Sequence, residues 1–294
     1  MRYALLFCCF LMLCSPAIAE DALPADSSFE TRRGWVFEFD PADQPYPDYV
    51  ADPRRPRMSL GFALFDTDIP DTSSGRAVLD AGTRYTLFKI TDPKGINDFA
   101  LDIEGCLFTQ FDTGNQLDNV GWDGLYGLFL VYDWRDTITV RYGYRHLSAH
   151  LGDEYIESTG RKRVGYTRED FAFGLCYQVN NDVQFYIEPS YAFHIGNNAR
   201  QERWAVEGGF QYQGPHDMWN NSTAYYAGIH FRSFQETGWN LGTSVQGGFY
   251  IKRSASSSNC RIGVEAYTGR AILGEFALDY DESYVLFGVM FDFY

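Results

Sequence analysis

Residues 171–179, FAFGLCYQV, set Phe171, Phe173, Leu175, Tyr177 and Val179 at every second position, with Ala172, Gly174, Cys176 and Gln178 between them. Period two is the pattern of a β-strand with one apolar face. It recurs in VQFYIEPSYAFH, where Val183, Phe185, Ile187, Tyr191 and Phe193 alternate with Gln184, Tyr186, Glu188, Ser190 and His194. In WNLGTSVQGGFYIK, Trp239, Leu241, Val245, Phe249 and Ile251 oppose Asn240, Ser244, Gln246 and Lys252. Runs of about ten residues with one apolar and one polar face suit a tilted strand that crosses a bilayer. A soluble sandwich also alternates, but on shorter strands.

The pattern predicts an all-β protein, a transmembrane antiparallel β-barrel of the outer-membrane type. Twelve strands are expected near 58–65, 82–90, 98–111, 122–132, 137–148, 167–179, 183–194, 203–213, 223–232, 239–252, 260–268 and 283–294. An even count puts both chain ends on the periplasmic side. Tight turns then fall at Asp133–Asp136 and Asn180–Asp182, and long extracellular connections at 112–121, 149–166 and 269–282. The last run, YVLFGVMFDFY, alternates Val285, Phe287, Val289, Phe291 and Phe293 and ends on Tyr294. It resembles the C-terminal signal by which bacterial outer-membrane barrels engage the barrel assembly machinery.

Residues 1–19 read as a signal peptide: Arg2 is a short positive region, ALLFCCFLMLC an apolar core, and Ala17-Ile18-Ala19 a cleavage site. A lipoprotein reading at Cys14 is weaker, because Leu13 stands where a small residue is wanted. Export to the outer membrane of a diderm bacterium follows. The net charge of -15 falls to -16 when Arg2 leaves with the leader, and the chain lacks the basic footprint of a nucleic-acid binder. Cys8, Cys9 and Cys14 leave as well. Cys106, Cys176 and Cys260 are too scattered for a disulfide framework or a metal site, and read as ordinary wall residues. A mean hydropathy of -0.29 beside 24 Phe and 21 Tyr fits a barrel, and no stretch after residue 20 is long and apolar enough for a membrane helix.

Residues 20–57 do not alternate. DPADQPYPDYVADPRRPR is proline-rich and reads as an extended periplasmic segment ahead of a barrel at 58–294, with folding back into the lumen as the alternative. Arg54, Arg55 and Arg57 either bind something acidic or anchor the first strand at the membrane boundary; anchoring is the expectation. By strand parity Asp102, Glu104, Arg141, Arg145, Glu188, Arg203, Glu207, Lys252 and Glu265 face inward. They line a narrow pore or pair with one another to fill a closed barrel, and filling is the expectation.

The fifth strand, TITVRYGYRHLS, carries the chemistry. Arginine facing lipid at mid-membrane costs about 2–4 kcal/mol, so Arg141 and Arg145 point into the lumen, and Ile138, Val140, Tyr142 and Tyr144 face lipid. His146 and Ser148 share that parity and project outward near the extracellular rim. Two apart on one strand face, an imidazole can take the proton of a hydroxyl. A third group must orient the histidine. Glu169 lies on the outward face of the next strand near the same rim. Asp153 and Glu154 in the following loop are alternative orienters, or ligands for a divalent cation at the lipopolysaccharide surface. His150 reads as a loop-folding residue, and with no second histidine ligand nearby zinc is not expected.

RHLSAHLGDEY together with ADPRRPRMS at 51–59 resembles an uncharacterised bacterial family, domain of unknown function 1207, expected to form an outer-membrane barrel. His-x-Ser on the lipid face of a barrel strand is also similar to outer-membrane phospholipase A and to lipid A deacylase. The resemblance implies His146 as base, Ser148 as nucleophile and Glu169 as acidic orienter, acting on an outer-membrane lipid or on lipopolysaccharide. Those enzymes place the third residue twelve positions after the serine, where this chain has Gly160. Without catalysis, the chain is a small-solute channel or a structural barrel.

Overall fold

The computed structural model of the protein describes residues 28–31, 33–196, 198–219, 221–252 and 258–293. The expected leader, its three cysteines and the terminal Tyr294 lie outside the described residues. The described residues form fourteen strands: β1 (Ser28–Glu30), β2 (Val36–Phe39), β3 (Met58–Thr67), β4 (Gly75–Thr91), β5 (Asn97–Asp112), β6 (Asp118–Trp134), β7 (Ile138–Leu151), β8 (Thr167–Gln178), β9 (Val183–Ile195), β10 (Trp204–Gln213), β11 (Thr223–Phe234), β12 (Leu241–Lys252), β13 (Ser258–Arg270) and β14 (Asp281–Phe293). β3 to β14 pair antiparallel in chain order, and β14 closes on β3 from Glu282↔Thr67 to Phe291↔Met58. The result is a closed barrel of twelve strands, as the alternation predicts.

Its two faces separate as the parity demands. Leu130, Tyr142 and Phe173 are exposed on the outside, whereas Arg141, Glu188 and Glu265 are buried inside. Of the residues expected inward, Asp102, Glu104 and Glu207 are also buried, and Arg145 forms ion pairs with Glu188, Asp170 and Glu207. Arg203, just ahead of β10, instead donates to the carbonyls of Ala192 and Phe193. The side chain of Lys252 lies outside the described residues. Cys106, Cys176 and Cys260 sit in the wall and form no disulfide among the described residues.

Strand length is where the sequence reading falls short. β5 and β6 pair out to Asp112↔Asp118, so the long connection expected at 112–121 is only the turn 113–117. Likewise β7 continues to Leu151, and the connection to β8 holds a short helix, α1 (Asp153–Thr159), ended by Gly160 at φ +67°. A second short helix, α2 (Gly274–Ala277), lies between β13 and β14. Tyr155 of α1 packs edge-on against Phe276 of α2 at 5.4 Å, within an apolar cluster of Ile69, Val120, Leu151, Ala271 and Leu273. These residues cap the extracellular end.

The N-terminal segment enters the barrel. β1 and β2 form a hairpin whose Val36–Phe39 strand pairs with Phe88–Thr91 at the periplasmic end of β4. Tyr46, Tyr49, Val50, Ala51, Asp52, Arg54, Arg55 and Arg57 are buried inside the wall. The three arginines do not anchor β3 at the membrane boundary. Arg54 pairs with Asp123 at 2.7 Å, Arg55 with Asp48 and with Asp292 (2.7 Å), and Arg57 with Asp80 (2.8 Å) and Glu265 (3.4 Å). Aspartates and glutamates buried on the wall need a partner, and breaking such a pair costs about 3–5 kcal/mol, so the arginines are drawn inward. Two wall glycines admit the segment: a Cβ on Gly228 would lie 2.9 Å from Val50 Cγ2, and one on Gly174 would collide with the Tyr46 hydroxyl.

Candidate functional site

His146 lies where β6, β7 and β8 run side by side. Register sets it opposite Tyr126 of β6 and Glu169 of β8, while Ser148 stands opposite Gly124 and Thr167. The ring Nδ1 is 2.9 Å from Glu169 Oε1, and the imidazole stacks on Tyr126 with centroids 4.5 Å apart. The Tyr144 hydroxyl donates to Glu169 Oε2, so both carboxylate oxygens are engaged. His146 and Glu169 side chains are 17% and 21% exposed, enough to be reached from the lipid side.

The structure therefore joins two of the three sequence-identified residues directly. A carboxylate on Nδ1 fixes the ring's orientation, and Ser148 lies two residues further on the same strand face. Ser148 Oγ itself has no hydrogen-bond partner among the described residues.

The outward surface beside Ser148 has a notch. Gly124 places no side chain there; a Cβ on it would lie 3.7 Å from Ser148 Oγ and 3.6 Å from the Trp122 ring. Trp122 and Tyr126 flank it on β6. Further out, His150 stacks on Trp122 at 4.0 Å and accepts from Arg163 Nη2 at 2.7 Å. His150 is thus a residue of β7 and not of the loop. Tyr144, Gly124 and Arg163 were not singled out as site residues from sequence; Tyr144 read only as lipid-facing wall.

Asp153 and Glu154 are exposed in the first turn of α1, remote from a shared ligand set. Among the described residues, the carboxylate and imidazole atoms close enough to hold one ion are those of Asp52, Glu207 and His230 in the lumen. Asp153 and Glu154 belong to no such group of three.

A family model described as a protein of unknown function, DUF1207, matches residues 38–293. Among solved structures, the chain is similar to outer membrane phospholipase A from Escherichia coli, at 12% identity and a TM-score of 0.52, covering 80% of this chain and 93% of that one. It is also similar to the Salmonella typhi outer membrane phospholipase, described as a dimer with bound calcium, at 12% identity and a TM-score of 0.54, covering 81% and 93%. The KdgM porin aligns at 11% identity and a TM-score of 0.41 over 80% of this chain and 99% of that one. At these identities the likeness to the phospholipases is one of fold, an outer-membrane barrel. No curated protein matches the chain.

Proposed function

We propose that this chain, which belongs to the DUF1207 family, is a serine acyl hydrolase acting on ester-linked acyl chains of outer-leaflet lipids. The observation that carries the reading is the 2.9 Å pair between His146 Nδ1 and Glu169 Oε1 on the lipid-facing wall, with Ser148 next on the same row. His146 Nε2 takes the proton of Ser148 Oγ as Oγ bonds to the ester carbonyl carbon. When the tetrahedral intermediate collapses, the C–O bond breaks and the imidazolium returns the proton to the leaving alkoxide. Water then attacks the acyl-serine by the same proton relay. Glu169 stays ionised and stabilises the imidazolium. Arg163 at the same rim supplies positive charge for the developing oxyanion or a lipid phosphate. The fold shared with outer membrane phospholipase A supports the reading.

The proposal includes an outer-leaflet phospholipid or lipopolysaccharide as partner, export by a leader cleaved after Ala19, and insertion by the barrel assembly machinery reading β14. A second reading, a structural barrel without catalysis, is favoured by the filled lumen. That filling weighs against a small-solute channel. The test is fatty-acid release by the purified, folded barrel from phospholipid vesicles and from lipopolysaccharide. Ser148→Ala is expected to abolish release and His146→Ala to lower it by about 10²–10⁴-fold, with the barrel still folded. Wild type that releases nothing from either substrate would leave the structural reading standing.

A further inference from the structure

We propose that Asp52, Glu207 and His230 form a binding site for a divalent transition-metal ion inside the lumen, tying the N-terminal segment to the wall. Asp52 comes from the segment, Glu207 from β10 and His230 from β11, and their ligand atoms lie within 4.8 Å of one another. All three residues are buried, His230 completely.

The histidine points to a ligand. Its Nδ1 is 3.1 Å from the Tyr186 hydroxyl, a pairing that fixes the ring and leaves Nε2 outstretched. Among the described residues Nε2 has no hydrogen-bond partner, and Asp52 Oδ1 stands 3.6 Å away. A buried ring nitrogen left in this way is unfavourable unless something binds it. Glu207 accepts no hydrogen bond among the described residues and has Arg232 and Arg145 only at ion-pair range, 3.8 and 3.9 Å, while Asp52 Oδ1 accepts from the Arg54 amide at 2.8 Å and keeps lone pairs for an ion.

Charge balance asks for the same ion. The connected ion pairs here hold four guanidiniums, those of Arg141, Arg145, Arg168 and Arg232. Against them stand Glu104, Asp170, Glu188, Glu207 and Glu236, with Asp52 adjoining. Six carboxylates face four cations. A protonated His230 would supply one positive charge; a divalent ion supplies both. One imidazole nitrogen and two carboxylate oxygens suit zinc or manganese, with water completing the shell. The site opens to the lumen, so its ion takes no part in chemistry at Ser148 on the opposite face of the wall.

The experiment is metal counting on the purified, folded barrel, stripped with chelator and dialysed against zinc or manganese. One retained ion per chain is expected, with an unfolding temperature that rises saturably with metal. Glu207→Gln and His230→Gln should each lose both effects, and Asp153→Asn with Glu154→Gln should keep them. If His230→Gln fails to fold, Glu207→Gln alone decides. Absence of retained metal in wild type, or an unchanged count in Glu207→Gln, overturns the proposal.

Discussion

Tyr144 shows how much of the candidate site depends on one hydroxyl. It shares Glu169 with His146, donating to the oxygen that the imidazole leaves free. A bond to a charged group is worth about 1.5–3 kcal/mol. Tyr144→Phe should therefore let the carboxylate swing and slow lipid release about tenfold, with KM little changed and the barrel intact by its resistance to detergent unfolding. An unaltered kcat would reduce Tyr144 to a packing residue. The outward direction of His146 and Ser148 was legible from Arg141 and Arg145 alone, because a charge at membrane depth tolerates only one side of the wall. The contact with Glu169 was legible as a shared face and not as a distance. Register across the 152–166 connection is settled by contacts far off in sequence, such as Glu275 accepting from the amides of Val164 and Gly165 at 2.6 and 2.9 Å.

The extracellular connections behave as a single element held by ion pairs. Asp279 joins Arg161 at 2.8 Å and Arg200 at 2.7 Å, bridging three loops. Partial burial raises its pKa, but hydrogen bonds and charge from Arg200 and Arg161 outweigh that and hold the carboxyl below its usual range. A depressed pKa means that the bridge adds stability above the unfolded-state value, about 3.9, and loses it as pH falls through the lower folded value. Amides in residues 160–166 should be protected from hydrogen exchange at neutral pH and lose that protection, measured against the intrinsic rate at each pH, in that acid window. Asp279→Asn should exchange fast at neutral pH. Equal protection in both proteins at pH 7 would remove the bridge from the account. Strand existence was legible here from period two, while strand ends were not. Pairing of β5 with β6 carries on through Asp112↔Asp118 after apolar alternation has stopped, since above the lipid a strand no longer needs an apolar face. α1 escaped notice for a similar reason: seven residues are too few to show a helical period.

At the scale of the whole molecule, the lumen is occupied by residues 46–57 and sealed outside by the Tyr155–Phe276 cluster. Planar bilayers holding wild type should stay silent, and deletion of residues 40–57 should open a cation-preferring conductance through the acid-lined wall. Steady conductance by wild type would restore the channel reading. The barrel and its approximate strand number were legible because each strand repeats one local rule. Whether the proline-rich segment lay outside or inside was not, because its placement depends on acids scattered over β4, β6, β13 and β14 that only closure brings around Arg54, Arg55 and Arg57.

That encirclement also makes the segment part of the seam. It immediately precedes β3, the strand on which β14 closes, while Arg55 and Arg57 pair with Asp292 of β14 and Glu265 of β13. The strands that close the wall therefore hold its filling as well as each other.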